Sequence, residues 1–85
     1  MRKILFTPTA FEQYNNWQED NKQVFSKLKK LRKGTAKTPF ERTGKPETLK
    51  YKFTGYWSRR ITDEHRLVYK VEEDLIEFIS CKFHN

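Results

Sequence analysis

Apolar residues in the first third of the chain recur at a spacing of three, which predicts helices rather than strands. The first stripe consists of Phe11, Tyr14 and Trp17. A threonine followed by a proline, Thr7 and Pro8, suits the cap and first position of a helix that runs to about residue 19. A short apolar segment at residues 2–6, RKILF, precedes this helix and suits a first strand.

A second helix is expected after Asp20 and Asn21, polar residues that break the first helix and can cap the next one. Lysines and arginines cover most of its surface, and its apolar stripe consists of Val24, Leu28 and Leu31. We expect the helix to end at Gly34, because glycine is the usual residue just past a helix end. Together the two helices form a hairpin with one apolar side.

Beyond Gly34 the apolar period falls to two, which predicts strands. A connection over residues 34–48, GTAKTPFERTGKPET, leads to LKYKF at residues 49–53, and Gly55 permits a turn to YWSRRIT at 56–62. HRLVYKV at 65–71 and LIEFISCKFH at 75–84 follow, each after an acidic corner. Two helices and then strands in hairpin succession predict one α+β domain over residues 1–85. In this fold two N-terminal helices pack on a small, largely antiparallel β-sheet.

Composition narrows the choice of partner and compartment. The 85 residues contain 15% aromatics, enough for one small core, and carry a net charge of +7. This charge favours a polyanionic partner, whether nucleic acid, an acidic protein or anionic lipid. No apolar run approaches the ~20 residues of a membrane span, and the N-terminus turns polar too early for a signal peptide. The single cysteine, Cys81, excludes an internal disulfide and is interpreted as a small core residue in a reducing cytoplasm; a Cys/His zinc site is not expected.

Strand alternation assigns the basic residues to one face of the sheet. In the last strand Ile79, Cys81 and Phe83 share the core side, which leaves Ser80, Lys82 and His84 opposite. By the same rule the face away from the helices gathers a set of cationic residues: Lys50, Lys52, Arg60, Arg66, Lys70, Lys82 and His84. A merely solvated sheet face is an equally open interpretation, although clustered like charges are destabilising unless an anion lies among them. His65 shares a side with Leu67 and is interpreted as structural.

A carboxylate and a histidine could convert this anion-binding face into a catalytic one. Glu47 lies where the long connection enters the sheet, and His84 supplies an acid with an intrinsic pKa near neutrality. The carboxylate would take the proton of a ribose 2′-OH, an arginine would stabilise the phosphoryl oxygens, and the protonated histidine would protonate the leaving 5′-oxygen. The chemistry needs no metal or other cofactor and is confined to RNA. The alternative is a surface glutamate and an incidental near-terminal histidine.

The stretch KPETLKYKFTGYWSRRITDEHRLVYKV resembles the signature of the YoeB toxins, in the wider RelE/ParE superfamily of toxin–antitoxin modules. The resemblance extends over nearly the whole chain, through WQEDNKQ in the helices, the TPF-x-x-x-GKPE loop and the closing CKFH. It implies a RelE-like fold and a ribosome-dependent mRNA endonuclease acting in the A site of the 70S ribosome. It also implies inhibition by an acidic YefM-type antitoxin and makes a homodimer plausible.

The resemblance also implies roles for individual residues. The glutamate of the KPE motif falls on Glu47 (general base), the arginine of the HR pair on Arg66 (transition-state stabiliser), and the near-terminal histidine on His84 (general acid). Lys50 and Arg60 fall on phosphate contacts, and we add Lys52 and Lys82 as RNA-binding residues from their place on the basic face. The family commonly ends in His-Tyr, whereas this chain ends in His84-Asn85. Asparagine cannot stack on a base, a contact worth ~1–3 kcal/mol elsewhere.

Two other functions stay open on the sequence alone. A non-catalytic module could block the ribosome by occupying its A site, in which case the basic face would matter and Glu47 would not. A toxin of this fold could also act on DNA gyrase, as relatives do, although that activity would not obviously need a glutamate, an arginine and a histidine together.

Overall fold

The computed structural model describes residues 2–39, 47–48 and 56–82. Within these ranges the elements follow in the order β1 (Lys3–Phe6), α1 (Pro8–Asp20), α2 (Lys22–Lys37), β2 (Glu47–Thr48), β3 (Tyr56–Arg60), β4 (Arg66–Val71) and β5 (Leu75–Ser80). The strands described form one five-stranded sheet in the order β1-β5-β4-β3-β2. β1 is parallel to β5, and the other three pairings are antiparallel. The prediction of an α+β domain with a largely antiparallel sheet is confirmed.

The cap of α1 is confirmed, but one member of its predicted apolar stripe is wrong. The side chain of Thr7 accepts a hydrogen bond from the Ala10 N–H, and Pro8 opens the helix. Ala10 and Trp17 are buried, whereas Phe11 is 56% exposed and touches Phe6 edge to face. The buried line starts at Ala10 because neighbouring helical positions are rotated by about 100°, which turns Phe11 to the rim of the core.

The stripe of α2 is confirmed and its predicted end is wrong. Val24, Leu28 and Leu31 are buried, and the Asn21 side chain caps the helix. The helix continues through Gly34 to Lys37. The added turn buries Ala36, and the N–H and hydroxyl of Thr38 both donate to the Gly34 carbonyl at its end. These contacts offset the ~1 kcal/mol that glycine costs inside a helix.

The core lies between the helices and one side of the sheet. Leu67 and Tyr69 are fully buried there together with Ile76 and Phe78, as alternation predicts for β4. The register pairs Tyr69 with Phe78 but Val68 with Ser80, so Ile79 is an extra residue that forms a β-bulge. The bulge puts Ser80 on the side opposite Phe78, although the two are only two residues apart. Ser80 therefore lies on the open face, the side of the sheet away from the helices.

Some predicted elements lie outside the described residues. These are the strand at 49–53, the turn at Gly55, and positions 83–85. The last strand was expected to reach His84, but β5 ends at Ser80, so that extension of the strand is wrong. Glu47 begins β2, in agreement with its predicted place at the entry to the sheet. Among the described helices, none is long and apolar enough to cross a bilayer.

Candidate functional site

A single row of backbone positions crosses the open face from β2 to β5. Glu47 is the Cα partner of Ser58, Ser58 of Val68, and Val68 of Ser80. Paired residues of adjacent strands lie side by side, about 5 Å apart. The register therefore brings the position of the predicted general base into one row with residues from the three following strands.

Arg66 contacts this row through its side chain. One of its terminal guanidinium nitrogens, Nη1, donates a hydrogen bond of 3.1 Å to the hydroxyl oxygen of Ser58. Ser58 is only 1% exposed, so its hydroxyl provides a fixed point for the guanidinium. The arginine that sequence reasoning selected is thereby bound to the residue opposite Glu47.

Arg60 adds a second cation next to Arg66. The two are Cα partners at the end of the β3–β4 pair, and Arg60 is exposed. Like charges directly opposite each other on antiparallel strands repel one another. A phosphate bound between or beside the two guanidinium groups would relieve that repulsion. The register thus places two of the predicted cationic residues, Arg60 and Arg66, side by side at this end of the sheet, and the phosphate contacts predicted for them stay predictions.

The basic face is less uniform elsewhere than alternation suggested. Lys70 lies 3.4 Å from the Glu72 carboxylate, its ammonium is 5.6 Å from the Tyr56 ring centroid, and its Cα partner on β5 is Glu77. The Lys82 ammonium lies 5.7 Å from the Trp17 ring centroid, a contact with α1 that alternation did not anticipate. The predicted RNA contact of Lys82 stays a prediction.

The face predicted to be open is closed at its centre. Val68 is 4% exposed, and Ser58 beneath the Arg66 guanidinium is 1% exposed. Sequence alternation identifies the side of a sheet on which a residue lies, but it does not give the exposure of that residue. The residues that reach solvent around this centre, Arg60 and Arg66 among them, form its rim.

Cys81 follows β5 and is bound to α1. Its backbone N–H donates to the side-chain oxygen Oε1 of Gln13 at 2.7 Å, and its carbonyl accepts from the indole N–H of Trp17 at 2.9 Å. The thiol lies 3.7 Å from the Ala10 carbonyl, and burial raises the pKa of Cys81 to about 12. The prediction that Cys81 is a small core residue is confirmed.

His65 lies on the helix side of the sheet, as predicted. Its ring meets the Trp17 indole edge to face, with centroids 4.7 Å apart. Its backbone carbonyl accepts hydrogen bonds from Ile61 and Thr62, which closes the corner between β3 and β4. These contacts are those of a structural residue.

Arg59 is the functional-site neighbour that sequence reasoning missed. It is completely buried, and its guanidinium donates to the Tyr69 hydroxyl at 3.1 Å and to the Thr38 carbonyl at 2.6 Å. The Tyr69 hydroxyl donates in turn to the Pro39 carbonyl at 2.7 Å. Burial raises the pKa of Tyr69, and the neighbouring guanidinium opposes that shift. Alternation could have found Arg59, because it lies between two residues of the open face and so points to the core.

This buried group fixes the start of the connection that leads to Glu47. Arg59 belongs to β3 and Tyr69 to β4. Their side chains donate hydrogen bonds to two backbone carbonyls just after α2 ends at Lys37. The connection therefore leaves the core from a defined place, eight residues before Glu47 in the sequence.

Several predicted site residues lie outside the described part of the chain, namely Lys50, Lys52 and His84. The side chain of Glu47 is likewise outside it, although its backbone register is given. Within residues 2–39, 47–48 and 56–82, no group of three or more His, Cys, Asp or Glu side chains could hold a metal ion. Arg60 and Arg66 form a cationic rim in which Ser58 holds the Arg66 guanidinium. The backbone of Glu47 lies next to Ser58 in the sheet, and cations beside a carboxylate are suited to binding a phosphodiester.

Comparison with protein families gives a match over nearly the whole chain. The family model for the YoeB-like toxin of the bacterial type II toxin–antitoxin system matches residues 6–85. The toxin YoeB of Escherichia coli K12 is 45% identical over 82 residues, which are 96% of this chain and 98% of the relative.

Solved structures agree in fold and in sequence. The YoeB dimer from Staphylococcus aureus superposes with a TM-score of 0.90 and 45% identity, covering 99% of this chain and 98% of that one. The YoeB–YefM complex from the same organism gives a TM-score of 0.88 and 45% identity, with 100% and 99% coverage. The two-helix, one-sheet architecture is shared with both.

Proposed function

The chain belongs to the family of YoeB-like toxins of bacterial type II toxin–antitoxin systems, and from this premise we propose that it is a metal-independent endoribonuclease. Its substrate is mRNA in the A site of the ribosome. The observation that carries the proposal is the hydrogen bond from Arg66 to Ser58, the Cα partner of Glu47. It joins a cation to the strand position of a carboxylate on one face of the sheet.

In the proposed reaction Glu47 takes the proton of the ribose 2′-OH. The 2′-oxygen then forms a bond to the adjacent phosphorus, and the bond from phosphorus to the 5′-oxygen breaks. His84, as an imidazolium, gives its proton to that 5′-oxygen. The products are a 2′,3′-cyclic phosphate and a free 5′-hydroxyl. Arg66 stabilises the charge that builds up on the phosphoryl oxygens, with Arg60 as a further phosphate contact.

The width of the sheet sets the distance that the chain beyond β5 has to cover for Glu47 and His84 to share a site. Strands lie about 4.8 Å apart, so the row from Glu47 to Ser80 spans roughly 14 Å. His84 is the fourth residue after Ser80 in the sequence. Four extended residues reach at most about 14 Å, and the hydrogen bonds of Cys81 to α1 use part of that reach. Because β5 is antiparallel to β4, the chain beyond Ser80 leaves the sheet at the end where Arg66 begins β4.

The charge of the chain supports a ribosomal site of action. A net charge of +7 on 85 residues favours association with RNA, whose phosphates dominate such binding. Lys50, Lys52 and Lys82 are proposed as further RNA contacts. Cleavage of translating mRNA would place the activity in the bacterial cytoplasm and would inhibit translation.

The same charge suits an acidic antitoxin. Because the S. aureus relative forms a complex with YefM, we propose a YefM-type partner for this chain. An acidic, partly disordered segment could fold onto the cationic rim and cover the site. Alanine at Arg60 and Lys50 is expected to weaken this complex, and unchanged affinity would contradict the proposed interface. A homodimer is proposed by analogy with the S. aureus YoeB dimer.

The decisive experiment maps mRNA breaks by primer extension in a translating bacterial extract, with and without ribosomes. Breaks within the A-site codon are expected only when ribosomes are present. The changes Glu47→Gln, Arg66→Ala and His84→Gln should each slow cleavage by about 10²–10⁴-fold, the range for positioned acids and bases. Circular dichroism and thermal unfolding verify that each variant is folded.

Two matched variants serve as controls. Glu12→Gln removes a carboxylate from the exposed surface of α1, and Glu19→Gln removes a second one near the end of that helix; both should still cleave. If ribosomes stall on intact mRNA and Glu47→Gln does not change the stalling, the chain is a non-catalytic blocking module and not a nuclease. Cleavage without ribosomes would refute ribosome dependence.

A further inference from the structure

Just after β5, the backbone N–H and the backbone carbonyl of Cys81 are both hydrogen-bonded to side chains of α1. Gln13 accepts from the N–H of Cys81, and Trp17 donates to its carbonyl. Both bonds join residues more than sixty positions apart in the sequence, at 2.7 and 2.9 Å. Since β5 ends at Ser80, these two side chains take the place of a neighbouring strand.

The same helix holds the residues on either side of Cys81. At its start, the Thr7 hydroxyl donates to the Ile79 carbonyl at 3.0 Å, and the Thr7 N–H donates to the Phe78 carbonyl. Further along, the Trp17 ring lies under the Lys82 ammonium at 5.7 Å. Phe78, Ile79, Cys81 and Lys82 thus each contact α1 or its N-cap residue Thr7.

The bond from Trp17 to the Cys81 carbonyl is buried, and the bond from Cys81 to Gln13 is partly buried. Trp17 is 8% exposed, and Cys81 is 1% exposed. A hydrogen bond that is shielded from water is strengthened, and leaving one of its partners unsatisfied is costly. The direction of the backbone at Cys81 is therefore set before any RNA binds.

We propose that Gln13 and Trp17 are positioning residues. By holding the backbone of Cys81, they restrict where the C-terminal tail, residues 82–85, can lie during catalysis. The inference rests on the proposed function, in which His84, three residues beyond Cys81, is the general acid. Chain ends are ordinarily loosely ordered, and a general acid must lie within hydrogen-bond reach of the leaving oxygen. A clamp three residues away limits the volume that the imidazole explores and so raises the fraction of complexes ready to react.

The first test compares single-turnover cleavage at saturating ribosome concentration. Gln13→Leu removes the acceptor and should slow cleavage by about 10–100-fold, the scale of a misplacement near 1 Å. The affinity for ribosomes should stay within twofold. Gln13→Glu keeps an oxygen at the same place and should restore the rate. Gln18→Leu makes the same change on the exposed surface of α1 and should have no effect.

Trp17→Phe is the second variant, since it keeps an aromatic ring and loses the indole N–H. Its rate is expressed per folded molecule, with the folded fraction taken from urea unfolding. A slower rate in fully folded protein supports positioning. If both Gln13→Leu and Trp17→Phe unfold more easily but cleave at the wild-type rate when folded, the contacts are only structural and the inference is wrong.

A modified mRNA separates this inference from the proposed function. Sulfur in place of the bridging 5′-oxygen at the A-site codon gives a leaving thiolate, which needs no proton because thiols ionise near pH 8.5. Defects in His84→Gln and in Gln13→Leu should both be largely repaired on this substrate, whereas that of Glu47→Gln should persist. If only His84→Gln is repaired, the general acid stands and the positioning role is overturned. If His84→Gln is not repaired, the proposed general acid is wrong, and the positioning inference is overturned with it.

Discussion

Removing the Tyr69 hydroxyl should destabilise the protein far more than the loss of one exposed oxygen atom would. This hydroxyl accepts from the buried guanidinium of Arg59 at 3.1 Å and donates to the Pro39 carbonyl at 2.7 Å. Tyr69→Phe keeps the ring and its packing but leaves two buried polar groups with one partner fewer. Each such group costs about 1–3 kcal/mol, so the free energy of unfolding should fall by about 2–6 kcal/mol.

The loss is large on the scale of the whole domain. At 0.05–0.15 kcal/mol per residue, a chain of this size is stable by about 4–13 kcal/mol. Each kcal/mol corresponds to about 4–8 °C in the midpoint of thermal unfolding for domains of this size. Tyr69→Phe should therefore melt at least about 8 °C lower than the wild type. Urea unfolding followed by tryptophan fluorescence gives the free energy, with an unchanged dependence on denaturant if the variant still unfolds in two states.

A matched deletion tests the reasoning. Tyr14→Phe removes the same atom from a half-buried residue whose ring contacts Phe6 and Phe25 edge to face. It should cost less than about 0.5 kcal/mol, as substitutions away from buried networks usually do. Equal effects of the two changes would refute the idea that the Arg59–Tyr69 group anchors the connection after α2.

Three further predictions concern the pH response, a helix cap and the core. Burial raises the pKa of Cys81 to about 12, whereas the thiol of the unfolded chain ionises near pH 8.5. The buried, protonated thiol therefore contributes fully to the free energy of unfolding below about pH 8.5, and this contribution is lost as the pH rises towards 12. Between pH 8 and pH 10 the wild type should lose about 1–2 kcal/mol more stability than Cys81→Ala, as measured by urea unfolding at both values; parallel pH profiles would contradict the pKa shift. Asn21 caps α2 by accepting from two backbone N–H groups, so Asn21→Ala should cost about 1 kcal/mol by the same assay; Asn15→Ala, an exposed position inside α1, should cost nothing. Leu28 is fully buried, so Leu28→Ala should cost about 2–5 kcal/mol, and a change below 1 kcal/mol would mean that the core can collapse around the gap.

Local sequence patterns predicted the elements well where one physical requirement dominates. Thr7 and Asn21 cap helices because a short polar side chain at the right position satisfies exposed backbone N–H groups, whatever the rest of the chain does. Leu67 and Tyr69 are buried because strand alternation leaves them no other side. The predicted end of α2 at Gly34 is wrong because a local stop signal worth ~1 kcal/mol competes with the burial of Ala36 and the cap at Thr38, which depend on tertiary packing.

The sequence by itself determined the α+β class, the two helix starts, the concentration of positive charge and the identity of the candidate residues Glu47, Arg66 and His84. These follow from local chemistry and from motifs that need no knowledge of distant neighbours. Only the tertiary structure decided that Arg66 is bound to Ser58 opposite Glu47, and that α1 grips Cys81. A contact between residues sixty positions apart depends on strand register and on one bulge at Ile79. A shift of a single residue reverses which side of the sheet a strand presents, and packing of the whole core sets that register.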